Sequence, residues 1–99
     1  MKSFLVAYSR IVAAKEQVSA DLGGEVAILH LKTGIYYGLN EIGAHIWNLV
    51  QEPRTFSELR DVFLNTYEVE SEYCERDLKT FLEGLASEGL IEVHRQKAA

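Results

Sequence analysis

Ninety-nine residues, 47% of them hydrophobic and 25% charged, suffice for one domain that buries roughly two-thirds of the surface its unfolded chain exposes, and they exclude a disordered or low-complexity chain. Cys74 is the only cysteine, which excludes an internal disulfide framework and leaves too few thiolates for a structural zinc site, so a reducing compartment, the cytoplasm, is expected. The net charge of −5 is uneven: residues 1–34 carry four bases and three acids, residues 35–99 six and twelve, and Glu68, Glu70, Glu72, Glu75 and Asp77 fall within ten residues, a surface that repels phosphate backbones. No apolar run approaches the ~20 residues of a membrane-spanning helix, and Tyr8, Ser9 and Arg10 spoil the apolar stretch from Phe4 to Ala14 as a signal peptide.

The first third reads as strands. Val18 to Leu22 is a short candidate, Gly23-Gly24 a two-residue hairpin signal, and Glu25 to Leu31 a second strand that is apolar on both sides. Lys32-Thr33-Gly34 turns the chain into Ile35 to Leu39, which completes a three-stranded antiparallel meander. Helices cover one face of such a sheet, so the N-terminal arm is expected to cover part of the other. At Asn40 the period lengthens. Asn40 caps a helix with Ile42, Ile46, Leu49 and Val50 on one face and Trp47 beside them, ending before Pro53. Thr55-Phe56-Ser57-Glu58 is a capping box opening a second helix that buries Phe56, Leu59, Val62 and Phe63 and closes near Tyr67. Ser71 is the expected cap of a third, longer helix with Cys74, Leu78, Phe81, Leu82 and Leu85 as its stripe and Gly89 as its left-handed stop. Leu90 to Val93 returns as a short strand. The result is a single α+β, winged-helix-like domain, a three-stranded antiparallel sheet followed by three helices, with its core at about residues 10–93 and an arm and a tail as the candidates for mobility.

The run from Glu25 to Leu49, E-V-A-I-L-H-L-K-T-G-I-Y-Y-G-L-N-E-I-G-A-H-I-W-N-L, resembles the PqqD-like family, the recognition elements for precursor peptides that are made on the ribosome and then modified. The matching pieces are Thr33-Gly34, Tyr36-Tyr37, Leu39-Asn40, Gly43 and Ile46-Trp47, and further on Pro53, Thr55, Glu58-Leu59, Tyr67, Asp77-Leu78, Leu82, Leu85 and Gly89-Leu90-Ile91. The resemblance implies a domain that binds the leader of a precursor peptide as a strand added to the edge of the third strand and resting on the third helix. Within the family the chain is similar to the stand-alone proteins of lasso-peptide clusters, which hand the leader to a partner protease. The implied contacts are Ile35, Tyr36, Tyr37, Gly38 and Leu39 on the strand and Cys74, Asp77, Leu78, Phe81, Leu82 and Leu85 on the helix; no catalytic residue, cofactor or metal is implied. An edge strand does offer unpaired N–H and C=O groups to a peptide, whichever of its faces lines the groove.

Each signal also has an ordinary reading. His30, His45 and His94 are too scattered for a metal or general-base role, and Glu72 and Glu75 beside Cys74 would raise its pKa rather than activate it. Trp47 belongs in the core and Tyr36 toward the surface, with Tyr37 open between core and groove. The acidic run suits a helix start, or attracts a basic leader, with Asp77 as the best candidate. Two alternatives to the lasso reading remain: a PqqD-type peptide chaperone for a radical SAM enzyme, and a winged-helix DNA-binding regulator. The second requires bases on a recognition helix, whereas the third helix offers Arg76 and Lys79 among Glu72, Glu75, Asp77, Glu83 and Glu88. A gel-shift titration at physiological salt is therefore expected to detect no affinity for duplex DNA; a tight, salt-sensitive shift would favour the regulator.

Overall fold

The computed structural model describes residues 5–95. The arm and tail expected to be mobile flank the core of about residues 10–93, and residues 1–4 and 96–99 of them lie outside the described range. The elements in chain order are β1 (Arg10–Ala13), β2 (Gln17–Asp21), β3 (Val26–His30), β4 (Tyr36–Leu39), α1 (Glu41–Leu49), β5 (Arg54–Thr55), α2 (Phe56–Thr66), α3 (Ser71–Ser87) and β6 (Ile91–His94). The strands form two antiparallel sheets, β2-β3-β4 and β5-β1-β6, which with the three helices make an α+β fold.

The meander is the one the turn residues require. Gly23 and Gly24 have φ of +78° and +104°, a conformation two successive residues adopt cheaply only as glycine, and Asp21 Oδ1 accepts both their N–H groups at 2.9 and 3.3 Å. Alternation along β3 puts Val26, Ile28 and His30 on the buried face and leaves Ala27 and Leu29 half-exposed on the other. α1 packs on the buried face through Ala44 and Trp47; Trp47 is 1% exposed, and its indole N–H donates to Ser19 Oγ at 3.1 Å. Trp47 is thus a core residue, its polar edge satisfied.

The second sheet is where the structure departs from the expectation. The described part of the N-terminal arm does not lie on the outer face of the meander. Instead β1 pairs along its length with β6, Arg10 with His94 through Ala13 with Ile91, and at its start with β5. Upstream of β1, the Ser9 and Ala7 carbonyls accept the N–H groups of Phe56 and Ser57 at 2.9 and 3.0 Å, and Leu5 is buried in the core. Laid flat over a sheet face, the arm would leave these backbone groups unpaired, whereas at the strand edges they are satisfied. In the cross-strand row Val18, Leu29 and Tyr36 of the meander, Val18 and Tyr36 are consequently exposed and Leu29 between them is half-exposed.

The helix ends follow the sequence with one correction. Asn40 Oδ1 accepts the Gly43 N–H at 2.9 Å, and Thr55 and Glu58 exchange the two bonds of a capping box, which also lowers the Glu58 pKa. Ser71, expected as the cap of α3, is its first residue; Glu70 occupies the cap position without a side-chain bond, so the helix start relies on nearby acids against its positive end. A bond from Arg60 to Glu75, 3.0 Å, joins α2 to α3. At the far end the Gly89 N–H reaches the Ala86 carbonyl at 3.0 Å and the Leu90 N–H the Leu85 carbonyl at 2.9 Å, a Schellman turn around a glycine at φ +74°.

Two glycines five residues apart should respond oppositely to alanine. A Cβ at Gly84, inside α3, meets nothing within 4 Å, so Gly84→Ala is expected to stabilise the fold by about 0.5–1 kcal/mol. At Gly89 a Cβ would lie 3.1 Å from His30 Nε2 on a left-handed backbone, so Gly89→Ala is expected to destabilise by more than about 1 kcal/mol. Urea unfolding of both variants reads the two signs.

Candidate functional site: a groove between β4 and α3

The hydrogen-bond parity of the meander decides which backbone groups of β4 are free. His30 N donates to the Ile35 carbonyl at 3.0 Å, and the register continues with Ile28 opposite Tyr37 and Val26 opposite Leu39. In an antiparallel ladder, bonded and non-bonded pairs alternate, so Tyr37 and Leu39 turn their N–H and C=O groups toward β3. Tyr36 and Gly38 turn theirs away from it. Among the described residues β4 pairs with β3 alone, so these four groups line a free sheet edge.

α3 runs beside that edge and faces it with a helical stripe, Tyr73, Asp77, Phe81, Gly84 and Glu88. Between strand and helix lie two adjoining depressions that share Gly38, Leu39 and Phe81. The first, about 490 Å³, is walled by apolar side chains of all three helices, among them Ile42 and Ile46, Phe63 and Cys74. Tyr67 is held in that wall by Phe63, with ring centroids 5.1 Å apart, and by a 3.2 Å contact of its hydroxyl with His45 Nδ1. Gly43 lets α1 approach this closely, since a Cβ there would sit 3.2 Å from Phe81 Cζ and 3.3 Å from Leu39 Cβ. The second depression continues along α3 between Tyr36 and Tyr37 on one side and Gly84, Leu85 and Glu88 on the other.

Most of the residues expected at a peptide site gather here. Tyr36, Tyr37, Gly38 and Leu39 line one or both depressions from the strand; Cys74, Asp77, Leu78, Phe81 and Leu85 line them from α3. Ile35 and Leu82 do not. Ile35 precedes β4, and its carbonyl is taken by His30. Leu82 is 0% exposed: one residue beyond Phe81 it is rotated about 100° around the helix, into the core. The face left open by the sequence is settled as well, since Tyr37 and Leu39 point toward the helices with Ile28 and Val26 while Tyr36, 73% exposed, stands on the outer face.

The Cys74 thiol is buried, and burial is the first reason its pKa is raised, followed by Glu75; Arg60 opposes them, and Asp77 rather than Glu72 adds the smallest contribution. It acts as an apolar wall. The Tyr37 hydroxyl crosses from strand to helix and donates to Glu88 Oε2 at 2.8 Å; this bond, then burial and the carboxylate charge, raises the phenol pKa. Glu88 and Gly84 were not anticipated. Glu88 lies 51 residues from Tyr37, too far for any local pattern, but a glycine inside a helix that otherwise favours its form is a signal that the sequence does carry. Among the described residues no group of three or more His, Cys, Asp or Glu could hold a metal ion, and no helix is long and apolar enough to cross a membrane.

The family model described as coenzyme PQQ synthesis protein D (PqqD) matches residues 25–91, from the start of the second strand of the meander to the start of β6. Among solved structures, TbiB1 in complex with the TbiA(beta) leader peptide is 38% identical to this chain, covers 86% of it and 99% of its own length, and superposes with a TM-score of 0.79. Comparison with curated proteins gives no match. With the family model spanning two-thirds of the residues and a fold shared nearly end to end with TbiB1, the chain belongs to the PqqD family.

Proposed function

We propose that this chain is a non-catalytic recognition domain that binds the leader segment of a ribosomally made precursor peptide as a strand added to β4, and presents it to a processing enzyme, a leader protease of the lasso-peptide type. The observation that carries the reading is the free edge of β4 opening onto an apolar groove. A peptide paired with Tyr36 and Gly38 gains main-chain hydrogen bonds, and every second side chain then faces inward. One such side chain lies opposite Tyr37 over the second depression, and its neighbour two residues away lies opposite Leu39 over the first. Affinity would come from the backbone, selectivity from what these two spaces accept. The similarity to TbiB1, which was solved with a leader peptide, supports the same use of the groove here.

A PqqD-type role, holding a peptide for a radical SAM enzyme, is the second reading, favoured by the description of the matching family model. Reconstitution with each candidate enzyme separates the two: leader cleavage accelerated by this chain supports the first, and a modified but uncleaved precursor the second.

Titration calorimetry with the cognate leader peptide should give sub-micromolar to low-micromolar affinity, and its scrambled version none. Gly38→Pro removes one outward N–H without disturbing the bonds to β3, and proline is tolerated on a strand edge. The variant is expected to melt close to the parent and to bind the leader roughly tenfold or more weakly. A folded Gly38→Pro that binds as the parent does, or equal binding of the scrambled peptide, would overturn strand addition.

A further inference from the structure

We infer that the Gly84–Glu88 end of the groove holds a basic side chain of the bound peptide, so that the domain selects strands combining apolar anchors with a lysine or arginine at one end. The inference rests on the strand-addition reading above and adds the chemistry of one position.

The charge of the groove is one-sided. Asp77 in the first depression and Glu88 in the second are the charged side chains that line it, and neither depression is lined by a lysine or arginine. The bases of α3 already have partners. Lys79 lies over the Phe56 ring at 5.6 Å, and the Arg76 guanidinium sits over the Tyr73 ring at 4.9 Å, where it also approaches Asp77 Oδ1 at 3.7 Å. Asp77 is thus partly compensated by an exposed, weak pair, whereas no salt bridge reaches Glu88 among the described residues.

Glu88 is also held in place. The Tyr37 hydroxyl fixes one carboxylate oxygen, Oε2, and leaves Oε1 with its lone pairs available. The hydroxyls nearby have spent their protons on their own helix, Thr80 on the Arg76 carbonyl at 3.0 Å and Ser87 on the Gly84 carbonyl at 3.1 Å, so they too face outward as acceptors. Between them Gly84 contributes no side chain, and nothing stands within 4 Å of where its Cβ would be. The floor is therefore a bare stretch of helix along which a long alkyl stem can lie, with an anchored carboxylate at its end. Lysine and arginine have that form, an apolar stem and a cationic head. An acidic side chain would meet only acceptors.

The test is selection of randomised peptides displayed on yeast against the intact chain and against Gly38→Pro, Glu88→Gln and Glu88→Lys, each first checked by thermal melting. Glu88 is exposed and ends α3, where lysine suits the helix dipole, so all three variants should fold. The expected result is a set of binders lost on Gly38→Pro that share apolar anchors and a lysine or arginine at one fixed position. That position should turn acidic with Glu88→Lys and lose its preference with Glu88→Gln. Replacing the lysine of a selected peptide by norleucine should weaken binding to the parent about tenfold and to Glu88→Gln less than about twofold. Binders that depend on Gly38 but show no basic preference, or keep it unchanged with Glu88→Lys, overturn this inference and leave strand addition standing. Binders indifferent to Gly38→Pro, or no binders, overturn strand addition and this inference with it.

Discussion

Backbone groups need hydrogen-bond partners, and among the outer strand edges of the two sheets that of β4 is the exception that opens onto a groove walled by α3. That exception organises the molecule. β4 cannot extend to hide its edge, because Asn40 begins the cap of α1 directly after Leu39. It cannot be closed by the helix beside it, because α3 meets it through side chains and leaves a groove between. The close approach at Gly43 keeps Phe81 and Leu39 in register, so the groove has a firm apolar floor. An isolated edge of this kind invites association with any extended chain; here its four-residue length and the walls around it restrict what can enter.

The parts of the fold that were legible in the sequence are those decided within a few residues. Gly23-Gly24, Asn40, the Thr55–Glu58 box and Gly89 each act through local backbone geometry, and each does in the structure what its chemistry requires. The second sheet was not legible as a sheet. β6 could be read as a strand, but its partner lies about eighty residues away, and β5 is two residues long and bears no pattern. Ser71 shows the limit of cap rules: Ser and Glu at adjacent positions are both compatible with a helix start, and the cap position falls to Glu70, whose side chain makes no cap bond.

The candidate site divides in the same way. The strand residues were legible because a period of two assigns faces once the edge is known, although the edge itself became visible only from the register. The helix residues were read as one stripe, yet a stripe broad enough to pack on two neighbours serves two purposes. Leu82 belongs to its core side, Asp77 and Phe81 to the groove side, and Leu85 to the boundary. The contribution of Glu88 arises from a contact between the middle and the end of the chain, and no spacing announces it.

The pairing of Arg10 with His94 bears on the order in which a growing chain becomes competent. The meander and α1 involve contacts close in sequence and can assemble as they leave the ribosome. The sheet that fixes the C-terminal end of α3 must wait for Ile91–His94, and with it the groove wall that carries Gly84 and Glu88. Until then the edge of β4 is present without the helix that screens it. Synthesis thus separates the pairing of the strand from the completion of the wall beside it, and residues 91–94 complete that wall.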